Sequence, residues 1–218
     1  MPLVVWTIAG SDSGAGAGIQ ADLKTFQALG VYGCSAITAL TAQNTLGVHQ
    51  IIPTSTAMLK AQVDALVQDF PPAAIKLGML GGDAESVYYL ADTLPNLGSF
   101  LVCDPVMVAT SGSRLASQET ISAMRQLFPH VDLLTPNLEE ASILLGRPID
   151  DVAQAAQALL EQTGVKALLL KGGHGKGKYR QDYYVDANQQ FWLTSPAIST
   201  YHTHGTGCTL SAAVTALI

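Results

Sequence analysis

Two kinds of apolar spacing alternate along this chain. Short unbroken apolar runs at Leu3–Ala9, Ala74–Leu77, Phe100–Cys103, Val131–Leu134 and Ala167–Leu170 are rich in Val, Ile and Leu and read as buried strands. Longer segments between them repeat apolar residues at helical spacing, near Ala17–Leu29, Thr56–Asp69, Ala84–Thr93, Ser117–Phe128, Leu138–Leu145 and Val152–Thr163. Buried strands separated by amphipathic helices predict an α/β fold. The sheet should be mostly parallel with helices on both faces, a three-layer α/β/α sandwich. "YRQDYYV" followed by "DANQQFWL" reads as a hairpin added near one end, with aromatics on both arms. No linker, low-complexity tract or clear repeat interrupts the pattern, so residues 1–218 read as one domain.

Composition narrows the function classes. A chain of 218 residues can bury a sizeable core, and its 48% hydrophobic content is within the range of soluble proteins. No run of 18 apolar residues exists, which argues against a membrane span. "MPLVVWTIAG" lacks a basic region before its apolar run and reads as a first strand rather than a signal peptide. Cys34, Cys103 and Cys208 are odd in number and far apart, which fits a reducing, cytoplasmic compartment. The net charge is -6 and no basic patch with interleaved aromatics occurs, so nucleic acid is not an expected partner. An acidic chain can still hold a phosphate, because backbone N–H groups bind one locally.

In a parallel sheet of this type, ligands sit beyond the carboxyl ends of the strands. Five polar or glycine-rich segments fall there: "GSDSGAGAG", "KLGML", "DPVM", "TPNLEEA" and "KGGH". The first lacks the GxGxxG spacing, so no dinucleotide fingerprint is present. Asp12 and Asp22 near it are candidates to accept hydrogen bonds from a polar substrate; Asp22 equally suits a helix-surface carboxylate. "GGHGKGKY" approaches a phosphate-binding loop but ends in Tyr179, without the hydroxyl that ligates Mg²⁺, and that reading is rejected. Lys171, directly after its strand, is better placed to meet a phosphate.

Asn137 and Glu140 are three apart and share a helix face. They suit the water shell of a hard cation, with Asp104 as a second carboxylate. They equally suit a capping box, and the two readings are compatible. His49, His130, His174, His202 and His204 show no familiar zinc spacing and suit structural or substrate contacts. "GTGC", Gly205 to Cys208, precedes a helical pattern. Its first N–H groups lack intrahelical partners, so the turn predicts an anion pocket. A cysteine at such a terminus is expected to ionise more readily and to accept the proton of an attacking hydroxyl. The alternative is a small buried cysteine without chemistry.

These blocks also carry a resemblance. "TIAGSDSGAGAGIQADLKTFQALGVYGCSAITALTAQNT", "KLGML", "DPVM", "TPNLEEA", "KGGH" and "THGTGCTLSAA" resemble hydroxymethylpyrimidine/phosphomethylpyrimidine kinase of the ribokinase-like superfamily. The resemblance implies ATP- and Mg²⁺-dependent phosphorylation in thiamine biosynthesis. The hydroxymethyl group of 4-amino-5-hydroxymethyl-2-methylpyrimidine takes the first phosphate, and the monophosphate takes the second. By position it implies that Gln43 meets the pyrimidine ring and its amino group, with Gly10, Asp22 and Met79 in the same pocket. It further implies that Gly205, Thr206, Gly207 and Cys208 form the anion hole. Lys171 and Thr206 fall on the phosphate side, and Asp104, Asn137 and Glu140 organise Mg²⁺. A homodimer is the expected assembly.

Members of this family continue with further helices, whereas this chain stops at Ile218. The C-terminal helices are therefore expected to be missing and the domain to be partial at its C-terminus. Two other readings stand beside the pyrimidine kinase: a pyridoxal/pyridoxine kinase of the same superfamily, and a non-catalytic small-molecule binding protein or truncated remnant.

Overall fold

The computed structural model describes residues 2–81, 83–108, 115–172, 177–200 and 202–218. Its centre is a nine-stranded sheet in the order β3-β2-β1-β4-β5-β6-β7-β8-β9. The strands are β1 (Val4–Asp12), β2 (Tyr32–Asn44), β3 (Gly47–Pro53), β4 (Ala74–Leu77), β5 (Phe100–Cys103), β6 (Leu133–Leu134), β7 (Ala167–Lys171), β8 (Tyr179–Asp186) and β9 (Gln190–Pro196). From β2 to β7 every neighbouring pair is parallel. Antiparallel ribbons extend both edges, β2–β3 on one side and β7–β8–β9 on the other.

The helices are α1 (Gly18–Ala28), α2 (Thr56–Asp69), α3 (Ala84–Thr93), α4 (Gln118–Leu127), α5 (Leu138–Leu145), α6 (Val152–Thr163) and α7 (Thr206–Leu217). Alternation along each strand decides which layer a residue feeds. Trp6 and Ile8 of β1, Ile75 and Leu77 of β4, and Leu101 and Cys103 of β5 enter one core, closed by α2 to α6. Val5 and Ala74 point the other way and meet Phe26 of α1 with Ala212 and Ala216 of α7. Sealing a Leu, Ile or Phe side chain in such a layer stabilises the fold by about 1.5–3 kcal/mol. Side-chain caps start several helices. Ser55, Asp83, Ser117 and Asp151 each accept a backbone N–H at the mouths of α2, α3, α4 and α6.

The three-layer architecture and the mostly parallel sheet agree with the sequence pattern. The expectation that the C-terminal helices are missing is overturned by α7. Its twelve residues bury Ser211, Ala212, Thr215 and Ala216 as one face. Small side chains there let it lie close against α1 and the sheet. Two strands, β2 and β3, were not anticipated. "YGCSAITALTAQN" is built from small and polar residues, without the branched aliphatic run that marks a buried strand. Among the described residues, no helix is long and apolar enough to cross a membrane.

Candidate active site

The carboxyl ends of β1, β4, β5, β6 and β7 converge on a cleft of about 300 Å³ that is closed on one side by the N-terminus of α7. This is the position the parallel topology dictates. Its wall includes Gly10, Gln43, Met79, Asn137, Lys171 and Cys208.

The turn before α7 is shaped by Gly205, the residue that caps the helix, with φ +79° and ψ 3°. A side chain at that position would also collide with the carbonyl of Gly16, so only glycine fits. The first helical bond runs from Thr209 N–H to Gly205 O at 2.9 Å. The N–H groups of Gly207 and Cys208 find no backbone or side-chain partner among the described residues. They are free to hold an anion at the positive end of the helix. Thr206 turns its hydroxyl back to Thr203 O at 3.0 Å. Cys208 is partly exposed at this mouth, whereas Cys34 and Cys103 are buried. The expected lowering of the Cys208 thiol is corrected. Burial pushes it above its ordinary value, Asp104 and Asp22 push the same way, and the pull of Lys76 does not overcome them. The terminal dipole is real, but side chains from three other elements surround the sulfur.

The floor of the cleft is a lysine that the sequence reading passed over. Lys76 lies inside β4, beside Thr7 of β1, and is completely buried. Its Nζ donates to both oxygens of Asp22, at 3.0 and 2.9 Å, and Thr7 Oγ1 donates to Asp22 Oδ2 at 2.6 Å. Burial works against the ammonium, yet Asp22, Cys208 and Asp104 hold its pKa above the ordinary lysine value. Asp22 was expected to line the substrate pocket or sit on the helix surface. It does neither: α1 turns Ile19, Ala21, Asp22 and Phe26 inward, so Asp22 lies beneath the cleft as the counter-ion of Lys76.

Gly10 and Met79 meet on one wall, where a Cβ on Gly10 would come within 2.5 Å of the Met79 methyl. Gln43 sits at the end of β2, next to a bulge. Its backbone N–H and C=O are both engaged by the Ser13 hydroxyl at 2.8 Å, which keeps its side chain on the cleft wall. Asp12 is not free for a substrate. Burial pushes its carboxyl up, but His204 and the N–H groups of Ala17 and Gly14 outweigh this and hold it below the ordinary value.

On the opposite side Lys171 Nζ meets Asp104 Oδ1 at 2.6 Å. A Cβ on Gly207 would come within 3.2 Å of the same Nζ, so the lysine lies directly beside the anion turn. Its pKa is raised, because Asp104 and Glu140 outweigh burial. Asn137 and Glu140 form the full capping box of α5: each backbone N–H is accepted by the other side chain at 2.9 Å. Burial, reinforced by Asp104, pushes the Glu140 carboxyl up to about 7. Both residues still line the cleft. His174 and the middle of "GGHGKGKY", residues 173–176, lie outside the described residues.

Most of the candidates quoted from the sequence thus meet at one cleft: Gly10, Gln43, Met79, Asp104, Asn137, Glu140, Lys171 and the turn Gly205–Cys208. Lys76 is the addition, and its signal was a charge between Ile75 and Leu77 inside a buried strand; His204, read only as one of five histidines suited to structural or substrate contacts, makes a structural one with Asp12.

A parallel sheet whose strand ends meet an unpartnered helix mouth, flanked by lysines and carboxylates, is the arrangement of a kinase of the ribokinase-like class. The family model of phosphomethylpyrimidine kinase matches residues 12–218. A hydroxymethylpyrimidine/phosphomethylpyrimidine kinase from Haemophilus influenzae is 51% identical over 97% of this chain and 81% of its own length. Among solved structures, a phosphomethylpyrimidine kinase from Clostridium difficile superposes with a TM-score of 0.84 at 39% identity, covering 99% of this chain and 90% of that one. A Bacillus subtilis pyridoxal kinase in complex with ADP superposes with a TM-score of 0.88 at 38% identity, covering 99% and 84%. The chain belongs to the phosphomethylpyrimidine kinase family.

Proposed function

We propose that this chain transfers a phosphoryl group from ATP to the hydroxymethyl oxygen of 4-amino-5-hydroxymethyl-2-methylpyrimidine, and then a second to the monophosphate, in thiamine biosynthesis. The observation that carries the reading is the pair of unpartnered N–H groups on Gly207 and Cys208, with Lys171 beside them, at the mouth of a helix that faces the cleft. Fixed donors aimed at the transferring group stabilise its charge without reorganising during the reaction. Family membership and the ADP complex of the Bacillus subtilis relative support ATP as the donor. Thr206 and Lys171 hold its phosphates, and Cys208 takes the hydroxyl proton. A cytoplasmic homodimer is part of the same proposal. Exposed Leu40 and Ile52 on the β2–β3 ribbon give a second copy an apolar face to cover.

The acceptor lies between Met79 and Gln43, over Gly10. An amide offers one donor and one acceptor, the complement of an amino-pyrimidine edge. Gln43→Leu leaves the polar edge of the substrate unpaired and weakens binding by about 1–3 kcal/mol. Calorimetric titration with the pyrimidine measures this directly, and titration with pyridoxal in parallel distinguishes the neighbouring vitamin kinases. Unchanged pyrimidine affinity in the variant removes Gln43 from the site.

Asp104, Asn137 and Glu140 fit Mg²⁺ through its water shell rather than as a direct cage. All three offer oxygen, the donor type a hard cation takes. One oxygen of Asp104 is given to Lys171, and one of Glu140 to the α5 cap. Among the described residues, no cluster of three or more His, Cys, Asp or Glu is arranged to hold a metal. A bound Mg²⁺ would neutralise charge on the nucleotide phosphates. Glu140→Gln retains an oxygen for the Asn137 N–H and so keeps the helix cap. It should raise the Mg²⁺ concentration for half-maximal rate about tenfold or more, as losses around a metal site typically do. An unchanged Mg²⁺ dependence reduces the pair to a cap.

A further inference from the structure

Two residues 192 positions apart tie one side of the cleft to the other. His204 Nε2–H donates to Asp12 Oδ2 at 2.9 Å. The same carboxylate accepts the N–H groups of Gly14, Gly16 and Ala17 at 2.8, 3.0 and 2.9 Å. One side chain therefore organises the loop after β1 and grips the residue just before the α7 turn. The Asp12 side chain is 3% exposed and that of His204 27%, so the imidazole shields the bond from water. The ring presses its Cδ2–Nε2 edge against the loop: a Cβ on Gly16 would come within 2.5 Å of its Cδ2. Gly205, the next residue, closes on the Gly16 carbonyl.

The position of this latch matters. Asp12 and Gln43 belong to the acceptor side, whereas Gly205 to Cys208 hold the transferring group. Neither Ala17 nor Gly205 supplies a side-chain cap to its own helix, so the entrances of α1 and α7 depend on contacts from elsewhere. We propose that His204 is a positioning residue for phosphoryl transfer: by pinning the α7 turn to the Asp12 loop, it sets the distance between the acceptor oxygen and the N–H groups of Gly207 and Cys208. This rests on the kinase reading above. It makes no contact with the reacting atoms and acts through the backbone. Transfer depends steeply on that distance, and a displacement of about 1 Å costs about 10²-fold in rate.

The test uses the full chain with His204→Ala, His204→Gln and Gly16→Ala. Glutamine keeps an N–H donor that reaches Asp12. Alanine at position 16 pushes the ring away while leaving both polar partners in place. The His204→Ala variant should lose about 10²-fold in kcat, with the KM for the pyrimidine nearly unchanged. The glutamine variant should recover most of the rate, and Gly16→Ala should reproduce the loss. In the protein without ligands, amides of residues 14–18 and 206–209 should exchange about tenfold faster in His204→Ala, the effect of one lost hydrogen bond. That exchange measurement does not depend on catalysis: a wild-type chain that phosphorylates nothing defeats the kinase reading, while the exchange still reports on the latch. A folded His204→Ala protein with normal exchange and normal kcat overturns the proposal. So does a glutamine variant as slow as the alanine one.

Discussion

Replacing Cys208 with alanine lowers kcat for both phosphorylations by about 10²–10⁴, the usual contribution of a positioned proton acceptor, while pyrimidine affinity changes little. The N–H groups of the turn remain, because they belong to the backbone, so the phosphoryl group is still held. Burial has pushed the thiol above its ordinary value, which fixes the sign of the pH dependence. The active form is the thiolate, and its fraction grows with pH. The wild-type rate should therefore still be climbing through the ordinary thiol range, and the alanine variant should lack that limb. Cys208→Asp should recover part of the rate, since a carboxylate at the same helix mouth also accepts a proton. A folded Cys208→Ala enzyme with near-normal kcat and an unchanged pH profile would leave the anion turn standing and remove the base.

The second large effect is on stability. Lys76→Met strands the carboxylate of Asp22, which is buried with no exposed surface. Breaking one side of a buried pair costs about 3–5 kcal/mol, because the remaining carboxylate loses its counter-ion and keeps only the Thr7 hydroxyl. For a chain of this length that lowers Tm by roughly ten degrees, at about 2–4 °C per kcal/mol. Removing both charges together, with Lys76→Met and Asp22→Leu, should restore most of the loss. The two partners respond to pH in separate ranges: burial raises the Asp22 carboxyl despite Lys76, so the aspartate's share is lost as pH rises above the ordinary carboxylate range. The lysine is raised above its unfolded value, so its share fades only as pH climbs through the strongly alkaline range. Urea denaturation of both variants checks this; a Lys76→Met protein as stable as the wild type would mean that the pair does not hold the cleft floor.

How much of this was legible depended on whether the signal was local. Ala74–Leu77 and Phe100–Cys103 are unbroken apolar runs between turns, and the strands begin and end where the runs do. The capping box at Asn137 is a spacing rule, so it was readable as a cap and as a cation face at once. The glycines before α7 announced a turn that opens a helix for the same reason. What failed was whatever needed a distant partner. β2 carries only Ile37 and Leu40 as branched aliphatics, set among small and polar residues, and is held by its neighbours β1 and β3 on either side. Asp22 read as a surface or substrate carboxylate because its counter-ion lies 54 residues away. The ionisation of Cys208 was argued from one helix end, yet burial among residues of α1, β4 and the loop after β5 decides it. The latch between Asp12 and His204 spans nearly the whole chain, and neither residue carries a local mark of the other.

The central claim is a two-step phosphorylation of a hydroxymethylpyrimidine at the mouth of α7. Its most direct test is phosphorus NMR of the purified chain with the pyrimidine, ATP and Mg²⁺. A monoester signal should appear first and give way to the paired signals of the pyrophosphate, with one ADP formed for each phosphate transferred. A sample in which ATP persists and the pyrimidine stays unmodified, while pyridoxal under the same conditions is phosphorylated, would contradict the account.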